Sequence, residues 1–341
     1  MTDARILTRA LVDPATTVAF GAEDWTSLMA MARAEQLMGS LAHRLDGLDH
    51  LPEKVAQLCA DARQSADHAR RQALWEAEMA RRVLAPLGEP VALLKGTAYV
   101  AAGLSAGVGR SIGDLDILVR RDALDAVEQV LIEQGGWEWV KDDAYDQAYY
   151  RDYMHELPPL IHKERDRMID VHHTVLPLTA RPTPDAEAML ADSVELENGL
   201  RILSPADMIC HSAAHLFADG DLAGGLRNLW DIDRLLRDFG PRDGFWQALR
   251  ARADRHQLAK TVARALRLAE TLYETPLSGD VADRRRVGDA LYVRRLLSRD
   301  GWGRETRKIL RLAFYIRSHW LRMPPVMLAK HLWTKWRKGA G

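Results

Sequence analysis

Residues 93–119, LLKGTAYVAAGLSAGVGRSIGDLDILV, constrain the fold more than any other stretch of the chain. The apolar run at 91–94 reads as a buried strand, Lys95-Gly96-Thr97 as a turn, the small residues after it as a short helix, and 114–119 as a second strand. Side chains alternate faces along a strand, so Asp114 and Asp116 share one face while Leu115 and Ile117 enter the core. Carboxylates about 7 Å apart on one face repel each other unless a cation sits between them. Such a pair at a strand start is a natural seat for Mg²⁺, which takes oxygen ligands and keeps positions open for phosphate and water.

The chain around this stretch divides by pattern. Residues 1–86 read as helical: Asp24 or Thr26 caps a helix over 25–45, and Leu51-Pro52 opens one bent helix or two long ones. Gly88-Glu89-Pro90 breaks that run before the first strand. After Asp116, residues 122–134 form a helix stopped by Gly135-Gly136. Strands are expected at 137–140 and 148–154. Segments 160–163 and 168–175 form a hairpin whose second arm, RMIDVHHTV, places Asp170 and His172 on one face. From Pro182 onward the pattern turns helical: a helix capped by Ser204 with Pro205 and Asp207 in its first turn, a loop at Gly220 and Gly224-Gly225, then helices over 226–239, 245–256, 258–272 and 283–297.

The two halves of the opening stretch, Leu94-Lys95-Gly96-Thr97 and Asp114-Leu115-Asp116-Ile117, together resemble the DNA polymerase beta-type nucleotidyltransferase superfamily. The match is closer to a bacterial uncharacterised nucleotidyltransferase family, related to abortive-infection-type nucleotidyltransferase toxins. That family shares the LKG element, an Arg before the Asp-x-Asp strand and a helical lead-in. Thr97 stands where Gly or Ser is usual, and Gly113 lengthens the step from Arg110 to Asp114. The resemblance implies an α+β fold, a polymerase beta-like core with a mixed sheet at 87–185. Helical regions flank it at 1–86 and 186–300, and a basic helical tail follows at 301–341. It implies metal-dependent transfer of a nucleoside monophosphate from a nucleoside triphosphate to a hydroxyl or phosphate acceptor, with release of pyrophosphate. Asp114, Asp116 and Asp170 would be the catalytic and metal-ligating residues, holding Mg²⁺ or Mn²⁺, two ions. Asp170 matches the family's Asp-x-His segment and would deprotonate the acceptor. Nucleotide binding falls to Lys95, Gly96, Thr97 and Arg110, with His215 and Arg227 from the segment that resembles the family's C-terminal helices. Asp231, in the same segment, would hold nucleotide or brace the core. The toxin relatives make the acceptor RNA or protein, and a non-catalytic nucleotide-binding scaffold is the alternative of a different class.

Other features weigh less. His211 and His215 lie one helical turn apart, a zinc-ligand spacing, but lack the Glu and the cysteines that zinc motifs carry, and they read as structural. Net charge is −1, so the whole chain does not advertise a polyanion partner. From Gly301 onward only Glu305 is acidic, and that tail reads as a packed helix with a solvated basic face; contact with RNA or a membrane surface is the other reading. Two cysteines, Cys59 and Cys210, read as buried residues of a reducing cytoplasm. A signal peptide and a membrane-spanning helix are not expected.

Overall fold

A computed structural model describes residues 3–141, 143–218, 221–278, 286–322 and 333. Four helices lead in: α1 (Arg5–Val12), α2 (Ala22–Ala34), α3 (Met38–Arg44) and α4 (Glu53–Leu84). The expected helix over 25–45 is two helices, because Gln36 takes a left-handed φ of 55° and turns the chain. Buried Glu35, just before that break, explains it. Its carboxylate pairs with Arg299 at 2.7 Å and accepts the Leu226 N–H at 3.3 Å, tying the N-terminal helices to the C-terminal ones. Asp24 sits inside the first turn of α2 and accepts the Gly21 N–H at 3.1 Å. Helix α4 runs unbroken for 32 residues, and the short 3-10 turn after it closes at Gly88, whose φ of 68° glycine adopts without strain.

The elements that follow are β1 (Ala92–Leu93), α5 (Lys95–Ala101), β2 (Asp114–Leu118), α6 (Leu124–Glu133), β3 (Trp137–Trp139), α7 (Ala144–Tyr153), β4 (Leu160–His162), β5 (Met168–His172), α8 (Ala186–Ala191), β6 (Val194–Glu195) and β7 (Arg201–Ile202). Among the described residues they build one mixed sheet in the order β3-β4-β5-β2-β1-β7-β6. Strands β2 and β5 are parallel, with Asp116 directly opposite Asp170; β1 runs antiparallel to β2 and parallel to β7. This is the α+β architecture with a mixed sheet expected from the sequence.

Two expectations within this region fail. The strand expected at 148–154 is helix α7: the Tyr149 and Tyr153 rings meet one turn apart, tilted by 42° with centroids at 5.8 Å, and Arg151 pairs with Glu128 and Asp125 of α6. Asp152, within that expected strand, lies on this helix. The region after Pro182 is not purely helical, since β6 and β7 form a hairpin that extends the sheet beyond residue 185. Two-residue strands carry too little alternation to be read from sequence.

The C-terminal helices are α9 (Pro205–Ala218), α10 (Gly225–Phe239), α11 (Phe245–Arg255), α12 (Ala259–Tyr273), α13 (Asp289–Leu296) and α14 (Lys308–Arg322). Gly220 and residues 283–285 lie outside the described residues, as does the tail at 323–332 and 334–341. Helix α14 packs on the body through Phe314 against Tyr292, ring centroids 4.9 Å apart, and through Arg317 donating to the Phe217 carbonyl at 3.2 Å. Cys59 and Cys210 are both buried and free. No helix among the described residues is long and apolar enough to cross a membrane. One continuous apolar core runs from Ala4 to Phe314 and joins the sheet to both helical regions.

A buried ionic knot holds α9. Asp207 accepts from Ser204 Oγ at 2.9 Å, from Arg252 of α11 through both carboxylate oxygens at 2.7 Å, and lies 2.9 Å from His256 Nε2. Burial works against the Asp207 charge, but His256 and Arg252 outweigh it and hold the carboxyl below its usual range. Asp207→Asn is expected to cost about 3–5 kcal/mol, the penalty for leaving a buried partner charge uncompensated. The sign with pH follows. The contribution is present above the unfolded carboxylate value of about 3.9 and is lost as pH falls through the lower folded value. Urea unfolding of wild type and variant at neutral pH and again near pH 3 checks this: the gap in stability should narrow in acid, and an equal gap at both values would contradict it.

Candidate active site

The pairing of β2 with β5 creates the site. Because the strands are parallel and in register at Asp116–Asp170, the carboxylates of Asp114, Asp116 and Asp170 converge with their oxygens within 4.8 Å of one another. The three environments differ. Asp114 is exposed, Asp170 half-buried and Asp116 3% exposed. Asp170 is pushed up to about 7 by burial and by the charges of Asp116 and Glu156. Asp116 behaves oppositely: burial works against its charge, but Lys95 and His172 outweigh it and hold the carboxyl far below its usual range.

Lys95 is the first residue of α5 and adopts a φ of 48°, a conformation uncommon for a non-glycine residue. Its Nζ donates to Asp116 Oδ1 at 2.6 Å. Burial works against the Lys95 charge, yet Asp116, Asp114 and Glu156 more than offset it and raise its proton affinity. Strained backbone of this kind costs of order 1–3 kcal/mol, and the buried ion pair offsets it. His172, on the same strand face as Asp170, places Nε2 3.1 Å from the same Asp116 oxygen.

The other residues singled out in the sequence divide into two groups. Arg110 pairs with Asp231 of α10 and lies over the Tyr99 ring, 5.3 Å from its centroid. Burial, and next the Arg227 charge, push Arg110 down to about 9. It fills the space beside Gly96, where a Cβ would collide with its Nε and lie 3.1 Å from its Cδ. Gly96 and Thr97 are both buried. Asp231 therefore braces Arg110. Arg227, from the first turn of α10, makes no ion pair among the described residues and sits in the field of Tyr99, Asp114 and Asp116; burial lowers its proton affinity. His215 and His211 line a narrow crevice with Lys95, Tyr99, Arg110 and Asn228. Burial followed by Lys95 keeps both imidazoles neutral, His211 at about 3. Neither belongs to a potential metal cluster among the described residues.

Sequence reasoning missed His155 and Glu156, which approach His172 from the segment before β4. Glu156 forms a β-bridge with His172, and no local pattern signals a bridge between residues so far apart.

The donor set fits a hard divalent cation: three carboxylates from adjacent strands, one destabilised in its charged form by its neighbours, are what an oxygen-seeking ion neutralises. A mixed sheet carrying this triad on parallel neighbours, with a helix-borne lysine at its edge, defines a nucleotidyltransferase core. The sequence matches the family described as uncharacterised nucleotidyltransferase over residues 21–274, and the chain belongs to that family. No curated protein matches it. Membership supports nucleotidyl transfer as the reaction class and a nucleoside triphosphate as substrate.

Proposed function

We propose that the protein transfers a nucleoside monophosphate from a nucleoside triphosphate to a hydroxyl or phosphate acceptor, releasing pyrophosphate, with Mg²⁺ or Mn²⁺ held by Asp114, Asp116 and Asp170. The convergence of these three carboxylates on paired strands carries the reading. Bound divalent ions, two in number, supply charge neutralisation for the phosphates and the leaving pyrophosphate. The chain's own residues position. Lys95 and His172 orient Asp116, and Asp170 stands ready to take the acceptor proton. Arg227, in the field of Asp114 and Asp116, would contact the phosphates, as would Lys95. Arg110, paired with Asp231, packs against Gly96 of α5, and the buried Gly96 and Thr97 would shape the turn on which the phosphates lie. His215 lines the crevice beside Lys95 and Arg110. The acceptor is a small molecule, RNA or protein, in the cytoplasm. Incubation of purified protein with each α-labelled nucleoside triphosphate, Mg²⁺ or Mn²⁺, and fractionated cell extract tests the reaction. Label passing to a defined fraction supports it, and pyrophosphate-free, label-free mixtures with all four nucleotides would overturn it.

Arg227→Ala should weaken nucleotide binding about ten- to a hundredfold, since a charge-assisted contact contributes roughly 1.5–3 kcal/mol. Calorimetry on the variant with Mg²⁺ present measures this. Equal affinity in wild type and Arg227→Ala would place the side chain outside the phosphate seat.

A further inference from the structure

Beside the carboxylate triad stands a second cluster with different donors. We propose that His155, Glu156 and His172 form a separate cation site for a transition-metal ion of the zinc class. Glu156 Oε2 lies 3.4 Å from His172 Nδ1 and 3.5 Å from His155 Nε2, and one donor atom from each of the three residues lies within 4.8 Å of the others. These separations exceed the usual 2.7–3.2 Å of a hydrogen bond. They match the edge of a tetrahedron: ligands bound at about 2.1 Å to one ion stand about 3.4 Å apart. Two imidazoles and a carboxylate are a donor set that zinc sites use, whereas Mg²⁺ prefers oxygen alone, so the two clusters select different ions.

One further observation agrees. His172 turns Nδ1 toward this cluster and Nε2 toward Asp116. A metal-bound histidine typically donates its other N–H to a carboxylate, which fixes its tautomer. With Nδ1 on the ion, the His172 proton must sit on Nε2 and face Asp116, so the ion would set the hydrogen bond that orients a residue of the carboxylate triad.

The test reads binding, not transfer, so it stands or falls apart from the proposed activity. Full-length protein stripped with chelator is titrated with Co²⁺ in excess Mg²⁺, followed by visible ligand-field absorption, and then challenged with Zn²⁺. One equivalent of Co²⁺, displaced by Zn²⁺, is expected both in wild type and in the Asp114→Asn/Asp170→Asn double variant. His155→Ala and the near-isosteric Glu156→Gln should each weaken that binding by at least about tenfold to a hundredfold. If His155→Ala does not fold, Glu156→Gln decides. Unchanged affinity in Glu156→Gln, loss of the signal in the Asp114→Asn/Asp170→Asn variant, or no Co²⁺ binding in excess Mg²⁺ would each overturn the site.

Discussion

Asp114→Asn is expected to lower nucleotidyl transfer by at least roughly 10²–10³-fold, the scale of removing one preorganised electrostatic group, with no loss of thermal stability. Asp116→Asn is expected to lose as much activity and also to melt markedly lower. The difference lies in burial. Asp114 is exposed at the start of β2, so its attraction to Lys95 is weakened by solvent and opposed by its repulsion of Asp170. Asp116 is buried against Lys95 at 2.6 Å and His172 at 3.1 Å. Its neutralisation leaves the Lys95 ammonium without its counter-charge, a change that typically costs about 3–5 kcal/mol. The sequence alone makes the two aspartates equivalent members of one motif; their packing separates them. Transfer assays with labelled nucleotide, and melting curves in EDTA, check both halves. Near-wild-type turnover in Asp114→Asn would remove that residue from the chemistry, and a wild-type melting curve for Asp116→Asn would mean that Lys95 finds another partner.

Asp170→Asn should depress turnover by about 10²–10⁴-fold, the usual range for a general base, while changing nucleotide affinity far less. A base acts on the acceptor in the transition state and contributes little to ground-state binding. The position supports this role. Asp170 faces Asp116 across β2 and β5 and is the carboxylate of the triad whose proton affinity burial and neighbouring charge raise, to about 7. Asp166, at the hairpin turn with a φ of 52°, and Asp152, on α7, are exposed and serve as controls expected to stay near wild type. Equal losses in affinity and turnover for Asp170→Asn would assign the residue to holding the nucleotide's metal instead. Glu164, the next acidic residue before β5, is exposed in the turn after β4 and is a poorer alternative.

Local sequence carries the elements of this site, and it does so through short-range chemistry. The alternation in Asp114-Leu115-Asp116-Ile117 and in Ile169-Asp170-Val171-His172 sets which side chains share a face, because the β pleat inverts every residue whatever the neighbouring strand is. Gly135-Gly136 stops α6, and the Ser204 hydroxyl accepts the Asp207 N–H at 3.3 Å at the start of α9; these too are interactions within a few residues. Segment 148–154 departs from the expected strand for the complementary reason. Its tyrosines favour strands by composition, but the contact of Arg151 with α6 favours the helix, and that contact is tertiary.

What the sequence by itself determined is therefore which strand faces carry Asp114, Asp116 and Asp170, since these follow from periodicity within single segments; the kind of core came from the resemblance of its motifs to a known family. Only the tertiary structure decided their inequality and their partners: that Lys95 and His172 both serve Asp116, that Arg110 pairs with Asp231 across 121 residues, that Arg227 is buried in the field of Asp114 and Asp116, and that His155 and Glu156 meet His172. The physical reason is that a strand's own pattern fixes its faces, while the register between strands and the burial of a charge depend on which distant segments the whole apolar core brings together.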